Sequence, residues 1–200
     1  MTKSIAIFCG SALGTDSIFL DTVQKMGQTI AQQGKIMVYG GGRSGLMGVV
    51  ADSALQAGGK VIGVIPRVLV DHELAHPHLT ELHVVANMHE RKTRMSELSD
   101  AFIALPGGAG TLEEIFEQWT WLQLGIHLKP CAFLNVAGFY DDLLKFIQLT
   151  TVKGFTQPRF TDSMIASDSI EEILQQFDAF RAPQPKWGMV VDQEVLVKHA

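Results

Sequence analysis

Short apolar runs separated by helical patterns constrain this chain more than any other feature. Ile5–Cys9, Ile36–Tyr39, Val61–Ile65, Leu82–Ala86, Ala101–Leu105 and Cys131–Val136 read as strands, and Met164–Ala166 adds a seventh candidate. Most are continuously apolar, the pattern of parallel strands covered on both faces. Helical patterns fall between them at Asp16–Gln33, Gly45–Ala57, Glu90–Leu98, Thr111–Leu124, Asp141–Val152 and Ile170–Phe180. Gly34 and Gly58-Gly59 are natural helix stops. The alternation predicts an α/β fold: a single doubly wound, mostly parallel sheet with helices on both faces. The common strand order 3-2-1-4-5 is expected, with strands one and four flanking the switch point. Arg67–Thr80 is a longer connection without assigned structure. Ala182-Pro183-Gln184-Pro185 closes the domain, which spans residues 1–180. Residues 181–200 form a C-terminal extension whose Met189-Val190-Val191 run packs back or reaches a partner subunit.

Composition removes several classes of function. The 200 residues are 46% hydrophobic and 18% charged, enough for one sizeable core and unlike a disordered chain. The net charge of -5 argues against a general nucleic-acid binder, which needs clustered Lys and Arg. No apolar run reaches transmembrane length, so no membrane partner is expected. The N-terminus enters a strand with no signal-peptide layout, and Cys9 and Cys131 both lie in strand-like runs. A cytoplasmic, reduced setting follows as the expectation. Cys9 is either a reactive thiol before a glycine turn or a small buried residue beside a binding loop. The second is the plainer expectation.

In such a sheet ligands bind beyond the carboxyl ends of the strands. Four loops there carry unusual residues: Gly10-Ser11, Gly40-Gly41-Gly42, Asn87–Lys92 and Pro106–Thr111. The last is the richest, running Leu105-Pro106-Gly107-Gly108-Ala109-Gly110-Thr111-Leu112-Glu113-Glu114. A glycine turn leading into a helix offers backbone N–H groups to an anion, with carboxylates close behind. A capping box, Thr111 as N-cap and Glu114 three residues on, is the competing explanation. It leaves the three glycines unexplained. A carboxylate in a helix's first turn is favoured as the anion, which suits Glu114 to be a nucleophile, base or cation stabiliser.

Other motifs carry less. In Met88-His89-Glu90-Arg91-Lys92-Thr93-Arg94, cations early in a helix oppose its dipole. An anionic partner, a phosphate or Glu114, would relieve this, and a solvated basic face is the bland alternative. Gly40-Gly41-Gly42-Arg43-Ser44-Gly45 matches G-x-G-x-x-G but follows the second strand, and no acidic residue ends the next one, so the dinucleotide fingerprint fails. His72-Glu73-Leu74-Ala75-His76 spells H-E-x-x-H, yet Pro66 and Pro77 leave room only for a short helix. A polar loop is expected there, with no metal. Phe116, Trp119 and Trp121 make the Thr111–Leu124 helix apolar around much of its girth, as core packing or a subunit interface would require.

Pro106-Gly107-Gly108-Ala109-Gly110-Thr111 with Glu114 resembles the PGGxGTxxE signature of the LOG (Lonely Guy) family of cytokinin riboside 5′-monophosphate phosphoribohydrolases. Met88-His89-Glu90-Arg91-Lys92 resembles the same family's second motif, and the similarity runs from Phe8-Cys9-Gly10-Ser11 to about Phe180. The resemblance implies a Rossmann-like fold, a homodimer, no metal and no cofactor. It implies hydrolysis of the N-glycosidic bond of a nucleoside 5′-monophosphate, of N6-modified adenine above all, to free base and ribose 5-phosphate. The family's catalytic pair falls on Arg91 and Glu114. Its phosphate loop falls on Gly107, Gly108, Gly110 and Thr111, and Lys92 stands close to the catalytic arginine. With Gly10, Ser11, Gly41, Gly42 and Met88 from the neighbouring loops, these make up the substrate-binding candidates. The family is often labelled lysine decarboxylase, but no residue context here argues for a pyridoxal phosphate Schiff base. The rival from another class is a non-catalytic nucleotide-binding or cofactor-carrier protein of the same fold. A phosphotransferase is weaker still, since no Walker A or kinase motif set is present.

Overall fold

A computed structural model describes residues 1–72 and 74–187. Its seven strands are β1 Ser4–Phe8, β2 Ile36–Tyr39, β3 Lys60–Pro66, β4 Glu81–Val85, β5 Ala101–Ala104, β6 Cys131–Leu134 and β7 Met164–Ser167. The helices are α1 Ser17–Gln32, α2 Gly45–Gln56, α3 Arg67–Asp71, α4 Met88–Glu97, α5 Ala109–Leu124, α6 Asp141–Val152, α7 Pro158–Thr161 and α8 Ile170–Ala179, with a short 3₁₀ turn at Val136–Gly138. All pairings between these strands are parallel, in one sheet. The doubly wound sheet read from the alternation is therefore the fold.

Its strand order departs from the expected one. The observed order is β4-β3-β2-β1-β5-β6-β7. The switch point lies between β1 and β5, because β4 has gone to the far edge beyond β3. The reason is written in β4 itself, Glu-Leu-His-Val-Val, whose polar alternation suits a half-exposed edge. Leu82 and Val84 remain more than a third exposed, whereas every residue of β5 and β6 is buried. Helix α4 then carries the chain from that edge back to the centre.

Successive residues of each strand face opposite sides. Ile5, Ile7 and Cys9 of the β1 region meet Val23, Met26 and Ile30 of α1, Val50 and Ala54 of α2, and Ile173 and Phe177 of α8 in one core. Ala6 and Phe8 meet Met95 of α4, Ile115, Trp119 and Leu122 of α5, Ile147 of α6 and Phe160 of α7 in the other. Each core closes one face of the sheet. The Ala182–Lys186 stretch stays attached to the domain: Ala182 packs on the second core, and the Lys186 N–H donates to the Gln123 carbonyl at 2.9 Å. Residues 188–200, with the Met189–Val191 run, lie outside the described residues.

Candidate active site

Backbone hydrogen bonds bring three loops together at the switch point. The Gly10 N–H donates to the Pro106 carbonyl at 3.1 Å, tying the loop after β1 to the loop after β5. The Leu46 N–H donates to the Ala12 carbonyl, tying the β1 loop to the start of α2 beyond the β2 glycines. Gly107 lies so close to its neighbours that an added Cβ would sit 2.8 Å from the Gly10 nitrogen. Gly10 and Gly107 thus stand side by side. Gly41 and Gly42 are held by a segment that the sequence reading left unassigned. The Gly41 carbonyl accepts from the His76 N–H at 2.9 Å, and Gly42 bridges Ala75.

The β5 loop passes directly into α5. Gly108 is the N-cap in extended conformation, and no described side chain caps this helix. Its first N–H groups are therefore free of intrahelical partners. An added Cβ at Gly108 or Gly110 meets nothing within 4 Å, so this rim borders open space. The capping box is not formed. Thr111 is the third residue of α5 and is buried, and Glu114 falls in the second turn. A capping interaction occurs instead at α4, where the Asn87 side chain accepts from the Glu90 N–H at 2.9 Å. The Glu90 carboxylate in turn accepts from the Ala86 N–H.

Arg91 and Glu114 meet. Arg91 Nη1 lies 2.9 Å from Glu114 Oε1, and both side chains are about one-tenth exposed. Arg91 Nε donates to the Val64 carbonyl of β3 at 3.2 Å, and the Met88 sulfur lies 3.9 Å from Nη1. Gly40 gives the guanidinium its room, since a Cβ there would overlap Arg91 Nη2. One strand, the glycine turn after β2 and two helices thus fix this one side chain. Burial pushes the Glu114 carboxyl above its ordinary value, and the Arg91 charge opposes that without cancelling it. The expectation of an anion favoured by a first-turn position is therefore corrected. Depth in the protein outweighs a helix field that fades within one turn.

Lys92 points to different partners. Its ammonium pairs with Glu113 and, at 3.0 Å, with Glu117, both on α5. Glu113 is half exposed and belongs to this second bridge. Arg94 turns to Glu97 and His83 on the outer flank of α4. Among the described residues the H-E-x-x-H stretch gathers no ligand set. His72 follows the short α3, Glu73 lies outside the described residues, and His76 Nε2 sits 3.1 Å from Asp52 Oδ1. Among the described residues no group of His, Cys, Asp and Glu has metal-binding geometry.

Cys9 is the buried residue that the plainer expectation described. It is unpaired by disulfide, and burial pushes its thiol far up, with Glu114 adding to the effect. Two residues at the site went unread in the sequence. The chain's two tyrosines each donate to a backbone carbonyl in or next to a glycine loop: Tyr39 to Gly42 at 3.1 Å and Tyr140 to Leu105, just before the Pro106–Thr111 loop, at 2.6 Å. Their scarcity was the available signal.

Fold and site together define a doubly wound α/β protein with a buried arginine–glutamate pair beside an uncapped helix start at its switch point. A family model described as "Possible lysine decarboxylase" matches residues 47–177. A cytokinin riboside 5′-monophosphate phosphoribohydrolase of Rhodococcoides fascians is 47% identical over 182 residues, spanning 90% of each chain. The enzyme of the same description named LOG, from Oryza sativa subsp. japonica, is 40% identical, spanning 96% of this chain and 79% of the other. The chain belongs to the LOG (Lonely Guy) family. Among solved structures, the molybdenum cofactor binding protein of Rippkaea orientalis superposes with a TM-score of 0.67 at 21% identity, over 90% of this chain and 97% of the other. The Moco carrier protein of Chlamydomonas reinhardtii gives 0.67 at 20%, over 90% and 99%. These two likenesses show the fold alone.

Proposed function

We propose that this protein hydrolyses the N-glycosidic bond of a cytokinin riboside 5′-monophosphate, releasing the free base and ribose 5-phosphate. The buried Arg91–Glu114 pair beside the uncapped start of α5 carries this reading. The N–H groups of Gly108–Thr111 receive the 5′-phosphate, with the positive end of α5 behind them. Holding the phosphate fixes the anomeric carbon over Glu114, and orientation of this kind supplies much of an enzyme's rate. The C1′–N bond breaks as positive charge grows on the ribosyl ring. The Glu114 carboxylate stabilises that charge or takes a proton from the attacking water, whose oxygen bonds to C1′. The bonding electrons leave with the base, which gains a proton. Arg91 stays protonated and holds Glu114 in place.

A cofactor carrier of this fold has no use for a buried arginine–carboxylate pair at its cleft, and the curated relatives at 40–47% identity are named as hydrolases. The homodimer is part of this reading. Phe116 and Trp121 stay only half-buried on α5, which suits a further contact surface. A cytoplasmic setting is part of it too, supported by two buried cysteines free of disulfides. Among the described residues no helix is long and apolar enough to cross a membrane. The test is Glu114→Gln assayed with N6-isopentenyl-AMP by chromatography of the free base. Base release at the unaltered rate would sink the assignment. Release from the nucleoside as fast as from the nucleotide would sink the phosphate cradle.

A further inference from the structure

Tyr140 is buried at the cleft floor, and its position is fixed from several sides. Its ring lies 4.6 Å from that of Phe133 and 4.8 Å, edge-on, from that of Phe139. Its backbone N–H donates to Asn135 Oδ1 at 2.7 Å, and Asn135 Nδ2 donates to Asp141 Oδ1 at 2.7 Å. Within this turn Ala137 has φ 49°, a left-handed conformation that L-residues rarely adopt. Such geometry persists where the surroundings over-determine it, and it gathers at functional sites. Phenylalanine would fill the same apolar volume. The hydroxyl has a separate partner, the Leu105 carbonyl at 2.6 Å. The pairing of β5 with β6 ends one residue earlier, at Ala104. Leu105 is also the last residue before the Pro106–Thr111 loop.

We infer that Tyr140 is a positioning residue for the substrate's phosphate. By holding the Leu105 carbonyl, its hydroxyl sets the direction in which the following loop leaves the sheet. It thereby presets the N–H groups that meet the phosphate. This inference rests on the reading of Gly107–Thr111 as the phosphate cradle. Without the hydroxyl the Leu105 carbonyl loses its donor and the loop must be ordered by the ligand. The loss falls on binding. The chemical step at Arg91 and Glu114 is untouched.

The experiment compares Tyr140→Phe and Gly108→Val with the unaltered protein, using N6-isopentenyl-AMP as substrate and ribose 5-phosphate as competitive inhibitor. For Tyr140→Phe, KM and the inhibition constant should both rise about threefold to tenfold, the worth of one hydrogen bond. Its kcat should stay within about twofold, well below one such bond. Gly108→Val, whose side chain stands over the cradle's N–H groups, should also weaken ribose 5-phosphate. If only Gly108→Val does so, the cradle stands and the role of Tyr140 is overturned. If neither does, the cradle itself falls and the inference with it. A lower melting temperature with unchanged constants, a fall in kcat alone, or failure of Tyr140→Phe to fold would make the hydroxyl ordinary core and overturn the proposal.

Discussion

Arg91 Nη1 lies 2.9 Å from Glu114 Oε1, joining the helix that leaves β4 to the helix that leaves β5. Their chain neighbours Lys92 and Glu113 make a second bridge between the same two helices. Arg91→Ala therefore leaves α4 and α5 linked but strands a buried carboxylate. Breaking a buried pair from one side costs about 3–5 kcal/mol. Urea unfolding of Arg91→Ala should show a loss near the lower end of that range, about 3 kcal/mol. Arg91→Ala/Glu114→Gln, with both charges gone, should recover part of it. Neither variant should release base. A single variant as stable as the unaltered protein would mean that Glu114 is solvated in place.

Gly40 gives a sharper probe of the same pair, because the three atoms nearest an added Cβ there all belong to the Arg91 guanidinium. A Cβ there overlaps Arg91 Nη2, a flexible side-chain tip rather than backbone. Gly40→Ala should therefore fold while shifting the guanidinium. Base release should fall at least about tenfold, since small displacements of positioning groups cost rates of that order. The check is kcat beside a thermal melt. Full activity in Gly40→Ala would show that Arg91 need not occupy this seat.

The raised Glu114 carboxyl links the site to pH. Its ordinary value is 4.5, and burial moves it upward. The folded protein therefore holds this proton more tightly than the unfolded chain does. The resulting stability is fully present below the unfolded carboxylate range and is lost as pH rises through the folded value. Relative to Glu114→Gln, the unaltered protein should lose stability across that window, by at most about 1.4 kcal/mol per pH unit. Activity runs the other way, because the anion does the work. The acid limb of kcat/KM should have its midpoint above 4.5. A limb at or below that value would mean that Arg91 dominates over burial.

The elements were legible because their signals are local. Continuous apolar runs marked β5 and β6, and Gly34 and Gly58-Gly59 sit where α1 and α2 stop. The strand order was not legible, since it depends on how α4 returns from the sheet edge. The clue was Glu81 and His83 in β4. At the site, residue types exposed Arg91, Glu114 and the glycines. They left Thr111 open between a cap and a ligand loop and began its helix two residues late, because a capping box and a glycine turn share one pattern, and only backbone geometry puts the helix start at Ala109. They misled on the ionisation of Glu114 for a related reason: burial is a property of packing, and the first-turn argument assumed an exposed helix end. Tyr140 escaped because its partner, Leu105, is 35 residues away.

The rim of the glycine loop separates binding from folding. Gly108 has φ -94° and ψ -155°, an extended conformation with negative φ, and an added Cβ meets nothing within 4 Å. Gly108→Val meets no clash but replaces a favoured N-cap residue, so unfolding free energy should fall by no more than about 1 kcal/mol. The added side chain would nevertheless stand over the N–H groups that receive the phosphate. KM for N6-isopentenyl-AMP should rise at least about tenfold, the equivalent of roughly 1.4 kcal/mol of lost binding. Isothermal calorimetry with ribose 5-phosphate reads the same loss without turnover. Gly107→Val is the contrasting variant: it must collide with the Gly10 backbone and with Thr111, so it should lose both stability and activity. If Gly108→Val binds ribose 5-phosphate as tightly as the unaltered protein, the phosphate is held elsewhere, and the open space beyond Gly108 serves another part of the substrate.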